Sequence, residues 1–200
     1  MTEEGYIKFR LEWEENSLTD LPDLSELNTI RTKLYDLGLI GVLPDGIGFG
    51  NISIRISENK FIISGTQTGH LRELSEKHYA LVDDFSIDDN WVKCTGETKA
   101  SSESMTHAAI YTANTNIQSV VHVHNKPLWE ESRNIEFTTN EKIEYGTPEM
   151  ALEVKNMIEN SIRKPQGIIV LGGHQDGIVA FSESIENAAR LLIERFLLKK

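Results

Sequence analysis

The sequence predicts an α/β fold in which strands and helices alternate along one chain. Short runs rich in Val and Ile, typical of strands, are separated by segments whose apolar residues recur every three or four positions, as in amphipathic helices. The 200 residues are 39% hydrophobic and 26% charged, without low-complexity tracts or internal repeats, which is enough to bury one substantial core. We therefore expect a single domain over residues 1–200.

The elements of the first half follow from local patterns. Extended structure is expected over about residues 6–13, followed by a helix over 23–37 that Gly38 ends, because Leu and Ile recur there at helical spacing. Ile alternates with polar residues over 52–56, and a polar turn then leads into a second apolar run, which predicts a β-hairpin. The second run of this hairpin is 61–63, and the remaining strand candidates in this half are 79–82 and 91–94.

The second half continues the alternation. A helix is expected over about 102–113, directly before the valine-rich strand 120–124. The triplet Thr147-Pro148-Glu149 predicts a helix start, since it offers a capping hydroxyl, a proline where no amide donor is needed and a carboxylate in the first turn. The last elements predicted are strands over 167–171 and 177–181 and a helix over about 184–198.

Charge and cysteine content narrow the function. The formal net charge is −11, and no block of Lys and Arg precedes Lys199-Lys200, so neither nucleic acid nor an anionic membrane is an expected partner and a small-molecule substrate is favoured. The acidic N-terminus lacks a secretory signal pattern, and the apolar runs are too short to span a bilayer, so we expect a cytoplasmic location. The single cysteine, Cys94, excludes an internal disulfide and is expected to be buried.

The run Val120-Val121-His122-Val123-His124 is the most informative motif. Two histidines at positions i and i+2 of a strand point to the same face of the sheet, where they can ligate one metal ion. The alternative is a simple alternation with both histidines facing solvent, and these five residues leave the two interpretations open. His174 is a third candidate ligand, because it lies in a glycine-rich turn that lets the backbone approach a site closely. Three imidazoles would leave an open coordination position, as catalytic metal sites require.

Three segments could bind an anion without a lysine. Gly48-Phe49-Gly50-Asn51 enters a strand, the loop 64–69 leaves its partner strand, and Ser101-Ser102 lies at a predicted helix start. Glycine exposes backbone amides, hydroxyls add donors, and a helix N-terminus favours negative charge. Each segment alone is equally explained as a tight turn or an N-cap, and Glu103 alone as a complement to the helix dipole.

Together these segments resemble the class II aldolase/adducin family, which includes fuculose-phosphate aldolase, ribulose-phosphate epimerase and methylthioribulose-phosphate dehydratase. The resemblance covers the chain from about Leu24 onward, and its motifs agree in order and spacing. They are Gly50-Asn51-Ile52-Ser53, the loop 64–69, Ser101-Ser102-Glu103 with His107 and Tyr111, His122-Val123-His124, Gly146-Thr147, and Gly173-His174 with Gly177.

The resemblance implies a three-layer α/β/α domain with a largely antiparallel, mixed central sheet, assembled as a homotetramer with active sites at subunit interfaces. It also implies that Glu103 is the catalytic acid/base and that a divalent metal, zinc by expectation, is bound by three histidines. The implied metal ligands are His122, His124 and His174. The implied phosphate-binding residues are Gly50, Asn51, Ser101 and Ser102, with either Thr66 or Thr68-Gly69 from the second loop.

The implied function is a lyase or isomerase that acts on a small, phosphorylated hydroxy-carbonyl compound through a metal-stabilised enediolate. The connection over 125–145 is shorter than in the sugar-phosphate aldolases and offers no clear counterpart of their catalytic tyrosine. Tyr145 could face the site or pack against Trp129. The alternatives are an adducin-like binding module without catalysis and a hydrolase that activates water. His107 is expected to orient its helix or donate a supporting hydrogen bond, and His70 and His78 to be solvated.

Overall fold

The computed structural model describes residues 5–19 and 21–198. In chain order the strands are β1 (Arg10–Glu15), β2 (Gly41–Val42), β3 (Gly48–Phe49), β4 (Asn51–Ser57), β5 (Lys60–Ser64), β6 (Tyr79–Ser86), β7 (Trp91–Gly96), β8 (Ser119–His124), β9 (Phe137–Thr138), β10 (Gly167–Val170) and β11 (Gly177–Ser182). The helices are α1 (Ser25–Asp36), α2 (Ser104–Ala113), α3 (Lys126–Ser132), α4 (Pro148–Met157) and α5 (Ile185–Leu197). A 3-10 turn at Glu76–His78 and a π turn at Ile158–Ile162 complete the regular structure of the described residues.

Nine strands form one mixed sheet in the order β1-β7-β6-β5-β4-β8-β11-β10-β9, and β2 and β3 form a separate ribbon. The two edge strands, β1 and β9, run parallel to their neighbours, whereas all the inner pairs are antiparallel. This arrangement confirms the largely antiparallel, mixed sheet that the sequence predicts. β8 lies between β4 and β11 inside the sheet, and all six of its residues are buried, so both of its faces are covered.

Helices cover the sheet on both sides, which confirms the three-layer α/β/α architecture. α2 and α4 pack on one face through a cluster that includes Val120 of β8. α1, α3 and α5 pack on the other face through a cluster that includes Val121 and Val123. Since side chains alternate along a strand, His122 and His124 lie on the same face as Val120, towards α2.

The predicted cap of α4 is confirmed, whereas α1 begins at Ser25, after Leu24 and without a side-chain cap. Thr147 accepts a hydrogen bond from the Met150 amide at the start of α4, and Ser184 accepts one from the Asn187 amide at the start of α5. α2 begins at Ser104 rather than at residue 102, because Glu103 takes the N-cap position. The first strand begins at Arg10 rather than at residue 6, and its position at the sheet edge leaves its charged side chains exposed.

Sequence analysis missed α3 within the connection 125–145. Its start carries a readable signal, since the Asn125 side chain accepts a hydrogen bond from the Leu128 amide at 3.0 Å and Pro127 lies in the first turn. The two-residue strands β2, β3 and β9 are too short to show an alternating pattern: β2 and β3 pair with each other, and β9 pairs with the distant strand β10. None of the helices in the described part of the chain is both long enough and apolar enough to cross a membrane.

Candidate active site

β8 places His122 and His124 side by side beneath α2. Their ring centroids are 4.8 Å apart and the ring planes differ by 10°. His122 lies opposite Asn51 of β4 and Val179 of β11, while His124 lies opposite Gly177. Both imidazoles are buried, with 1% and 8% exposure, so the interpretation of a solvated strand face is wrong.

The turn between β10 and β11 brings His174 onto the same two rings. Its centroid lies 5.0 Å from that of His122 and 4.6 Å from that of His124. Gly177 makes the space, because a Cβ there would lie 3.1 Å from the His174 ring. One nitrogen from each imidazole lies within 4.8 Å of the others, a spacing that small ring rotations would close onto one ion.

Glu103 faces the histidines from the N-terminus of α2. Its two carboxylate oxygens lie 3.7 Å from Nδ1 of His122 and 3.7 Å from Nδ1 of His174. The Thr106 hydroxyl donates to Oε2 at 3.3 Å. Burial by itself raises the pKa of the Glu103 carboxyl, but His174 and His122 lower it by more, to about 2. Glu103 is therefore an ionised, buried carboxylate beside three imidazoles.

This donor set fits a divalent cation. Among the described residues, neither ring nitrogen of His122 nor Oε1 of Glu103 has a hydrogen-bond partner, although all three atoms are buried. Burial, followed by the neighbouring histidines, holds the pKa of His124 well below its ordinary value, so this ring is in the neutral form that ligates metals. Imidazole nitrogens with a nearby carboxylate suit zinc and related ions, and three nitrogens leave coordination positions open.

The predicted anion-binding segments meet in a narrow cleft of about 20 Å³ next to this cluster. No Lys or Arg side chain is among the described residues that line it, so its donors are amides, hydroxyls and side-chain amides. The lining consists of Gly5, Gly48, Gly50, Asn51, Gly65, Thr66, Gln67, Thr68, Gly69, Ser101, Ser102 and Glu103. The cleft thus contains all six predicted phosphate-binding residues, and Glu103 borders it as well as the histidines.

The two glycine loops of the cleft touch through their backbones. A Cβ on Gly69 would lie 2.1 Å from the Gly41 carbonyl oxygen and 2.8 Å from the Gly48 Cα, so no larger residue fits. Thr66 and Thr68 both line the cleft, so the structure does not choose between them. The Thr68 hydroxyl donates to the Gly65 carbonyl at 2.8 Å, so its proton is already used in a hydrogen bond within the loop.

Tyr145 lies at the histidine cluster. Its ring stacks on His174 with centroids 4.3 Å apart, and the Lys8 ammonium lies 4.2 Å from the Tyr145 centroid. The Trp129 indole instead donates to the Leu171 carbonyl at 3.0 Å. Sequence analysis did not find Lys8, since no motif links the first strand region to the site.

His107 lies behind the cluster and supports it. Its Nδ1 is 2.7 Å from the Ser53 hydroxyl, which is also 2.7 Å from the Tyr111 hydroxyl, so this chain of hydrogen bonds joins α2 to β4. Burial, followed by the neighbouring His122, lowers the pKa of His107 to about 3, so the ring is neutral. His70 is exposed, and the partly buried His78 accepts a hydrogen bond from the Ser75 amide at 2.9 Å, outside the site.

The fold and the site together define a three-layer α/β/α protein with a candidate three-histidine metal centre beside an anion cleft. The family described as Class II Aldolase and Adducin N-terminal domain matches residues 43–195, which include every candidate site residue. The chain belongs to this family. The family match confirms the resemblance read from the sequence motifs.

Solved structures share this fold. YgbL from Klebsiella pneumoniae, named provisionally as an aldolase/epimerase/decarboxylase, is 18% identical with a TM-score of 0.63, covering 86% of each chain. An L-fuculose 1-phosphate aldolase is 21% identical with a TM-score of 0.60, covering 86% of this chain and 80% of that chain. The L-fuculose-1-phosphate aldolase from Thermus thermophilus is 18% identical with a TM-score of 0.54, covering 86% of this chain and 93% of that chain. No curated protein sequence matches this chain.

Proposed function

We propose that the protein is a metal-dependent lyase or isomerase of the class II aldolase type. Its substrate is a small hydroxy-carbonyl compound that carries an anionic group, most simply a sugar phosphate. The names of the structurally similar proteins, which include sugar-phosphate aldolases and an aldolase/epimerase/decarboxylase, support this class of chemistry.

One observation carries the proposal: Glu103 borders both the histidine cluster and the anion cleft. A substrate held in the cleft by its phosphate would present its neighbouring carbon atoms to the carboxylate and to an ion on the histidines. Holding the reacting groups together in this way removes much of the entropic part of the barrier. A binding module without catalysis would have no need for this convergence.

The residues of the cleft bind the substrate, and Glu103 transfers the proton. Amides and hydroxyls of Gly50, Asn51, Ser101 and Ser102, with the backbone amides of Thr68 and Gly69, bind the phosphate. Glu103, ionised at neutral pH, takes a proton from the carbon next to the carbonyl group and returns it after the bond rearrangement.

A zinc or similar divalent ion on His122, His124 and His174 would supply the Lewis acidity that stabilises an enediolate. The burial of all three rings excludes bulk water from this region, which strengthens electrostatic stabilisation of developing charge.

Elemental analysis after dialysis against metal-free buffer tests the metal centre. Wild type should retain about one divalent ion per chain, as expected for one three-imidazole site, and His174→Ala should lose it. His70→Ala, which changes an exposed histidine outside the site, is the matched control and should keep the ion.

The metal result decides between the enzyme and the adducin-like module. Retained metal would justify assays of sugar phosphates for cleavage, epimerisation and dehydration. Wild-type protein that binds no metal after reloading would contradict the proposed enzyme and favour the non-catalytic module.

A further inference from the structure

Arg31 of α1 is a buried cation behind the anion cleft. It is 1% exposed and is among the largest fully buried side chains of the described chain. Its guanidinium donates to four carbonyl oxygens of the segment 68–72. These are Thr68 at 3.0 Å, Gly69 at 3.5 Å, Arg72 at 2.8 Å, and Leu71.

The charge of Arg31 has no carboxylate partner within the described residues. All four acceptors are neutral carbonyls, and the aromatic ring of Tyr35 lies 5.2 Å from the guanidinium carbon. Burial lowers the pKa of Arg31, yet an arginine stays protonated in proteins. A buried charge without a counter-ion is costly, so its position next to an anion cleft is informative.

The hydrogen bonds of Arg31 orient the loop that lines the cleft. In a trans peptide the carbonyl and the following N–H point in opposite directions. The Thr68 carbonyl points to Arg31, so the Gly69 amide points away from Arg31, and Gly69 lines the cleft. The Arg31 side chain thus orients the peptide between Thr68 and Gly69 so that its positive end, the Gly69 N–H, points away from the guanidinium.

The described lining of the cleft contains no positively charged side chain. One of the described residues that line the cleft, Glu103, is acidic. A phosphate monoester that enters it gains hydrogen bonds but meets no cation on the surface of the cleft. A buried positive charge behind the loop would lower the electrostatic cost of placing a phosphate in the cleft. It would do so because Coulomb interactions are weakly screened in the protein interior.

We propose that Arg31 is a positioning residue for anion binding: it holds the segment 68–72 so that the Gly69 amide is turned to the cleft, and it supplies the positive charge that the lining lacks. Arg31 acts through the loop and does not touch the substrate. This inference rests on the proposed function, since it assumes that the cleft takes the anionic group of the substrate. The ligand is an oxyanion, either a phosphate monoester or free inorganic phosphate.

Arg55 provides a matched control. It is also a partly buried arginine whose guanidinium donates only to backbone carbonyls, those of Ile117, Glu58, Tyr111 and Asn114. Burial lowers its pKa, as for Arg31. None of the four acceptor residues of Arg55 lines the cleft. A substitution of Arg55 should therefore lower the free energy of unfolding without changing the cleft-lining loop that Arg31 contacts.

The experiment is calorimetric titration of the purified proteins with inorganic phosphate, with metal content and urea unfolding measured alongside. Arg31→Met should weaken phosphate binding about tenfold or more, equivalent to about 1.4 kcal/mol. Arg31→Lys, which keeps the charge but cannot bridge four carbonyls, should fall between Arg31→Met and wild type. Both variants should keep the metal, and Arg55→Lys and Arg55→Met should bind phosphate like wild type.

The outcomes separate the two proposals. Wild type that binds neither phosphate nor a phosphate monoester would overturn the proposed substrate class and with it the role of Arg31. Wild type that binds phosphate while Arg31→Lys binds equally well would overturn the role of Arg31 alone. Equal losses in Arg31→Lys and Arg55→Lys would also overturn it, because they would show only a general loss of stability. If Arg31→Met does not fold, the comparison of the two lysine variants still decides the question.

Discussion

Glu103 is the residue on which the proposed chemistry depends. It lies at the N-cap of α2, where the helix dipole and the adjacent histidines favour its charged form, and it is 2% exposed. A buried carboxylate of this kind can accept a proton only from a group that is held against it. Its carboxylate oxygens lie 3.7 Å from His122 and 3.7 Å from His174, and Glu103 also lines the cleft.

Replacing Glu103 by Gln should separate metal binding from proton transfer. The amide keeps the size of the side chain but cannot take up a proton, so we expect the three-histidine site to keep its ion and turnover to fall by about 10²–10⁴. Metal content and turnover of the sugar phosphate identified by screening are the two measurements. Wild-type turnover in Glu103→Gln would remove Glu103 from its assigned role.

At the scale of elements, the turn between β10 and β11 decides where His174 lies. The turn packs backbone to backbone on the segment 139–143. The Gly172 amide donates to the Thr139 hydroxyl at 2.8 Å, and a Cβ on Gly173 would lie 1.7 Å from the Ile143 carbonyl oxygen. Residue 173 must be glycine for the two backbones to approach this closely. The position of the His174 imidazole therefore depends on a backbone contact that any residue with a Cβ would prevent.

Gly173→Ala should therefore displace the turn. We expect a loss of about 2 kcal/mol or more in the free energy of unfolding, since overpacking against backbone is relieved only by movement, together with weaker zinc binding. Urea unfolding and a competitive zinc titration measure the two effects.

Gly38→Ala is the control for Gly173→Ala. Gly38 has a φ of +72° but no atom within 4 Å of a new Cβ, so only backbone strain of about 1 kcal/mol and unchanged zinc affinity are expected. Gly173→Ala with wild-type zinc affinity would show that the turn does not set the metal site.

At the scale of the whole molecule, buried neutral histidines make metal-free stability depend on pH. The folded-state pKa of His107 is about 3, whereas an unfolded histidine titrates near 6.5. Between these values the unfolded chain binds a proton that the folded chain does not, so the free energy of unfolding falls as pH falls below about 6.5. Above that pH the stabilisation is fully present. His124, whose pKa is also lowered, acts in the same direction.

We expect chelator-treated protein to be less stable at pH 5 than at pH 7.5 by roughly 1 kcal/mol or more. Urea unfolding at the two pH values measures the difference. In His107→Asn, which cannot be protonated at this position, the difference between the two pH values should shrink. Equal stability of the wild type at both pH values would contradict the neutral state assigned to the buried histidines.

Assembly is the second property of the whole molecule that can be tested. We propose a homotetramer, and the exposed apolar side chains of Ile135, Phe137, Leu197 and Leu198 are available for contacts between subunits. Light scattering should then give four times the chain mass of 22.6 kDa. A strict monomer would count against active sites that subunits share.

Much of the candidate site could be predicted because its signals are local. The i, i+2 spacing places His122 and His124 on one face of any strand, and the Thr147 cap is read within four residues. The three anion segments were each ambiguous alone. Their agreement in order and spacing with a known family resolved that ambiguity, and the structure brings all of them to one cleft.

The rest depends on contacts that no local pattern encodes. Lys8 and Tyr145 are far apart in sequence yet lie together at His174, and Arg31 was read only as part of an amphipathic helix. These positions follow from the order of the strands and from which helix covers which face. A side chain's partner across the fold is set by packing of the whole chain, which the periodicity of its own segment does not contain.

The sequence by itself therefore determined the family, the α/β class, the histidine pair and the residues proposed to bind metal and phosphate. Only the tertiary structure decided that the pair is buried rather than solvated and that Glu103 borders both the histidine cluster and the cleft. It also decided that the buried Arg31 guanidinium donates to backbone carbonyls of the segment 68–72. The physical reason is that hydrogen-bond geometry and side-chain spacing act over a few residues, whereas burial and charge environment arise only when distant segments pack together.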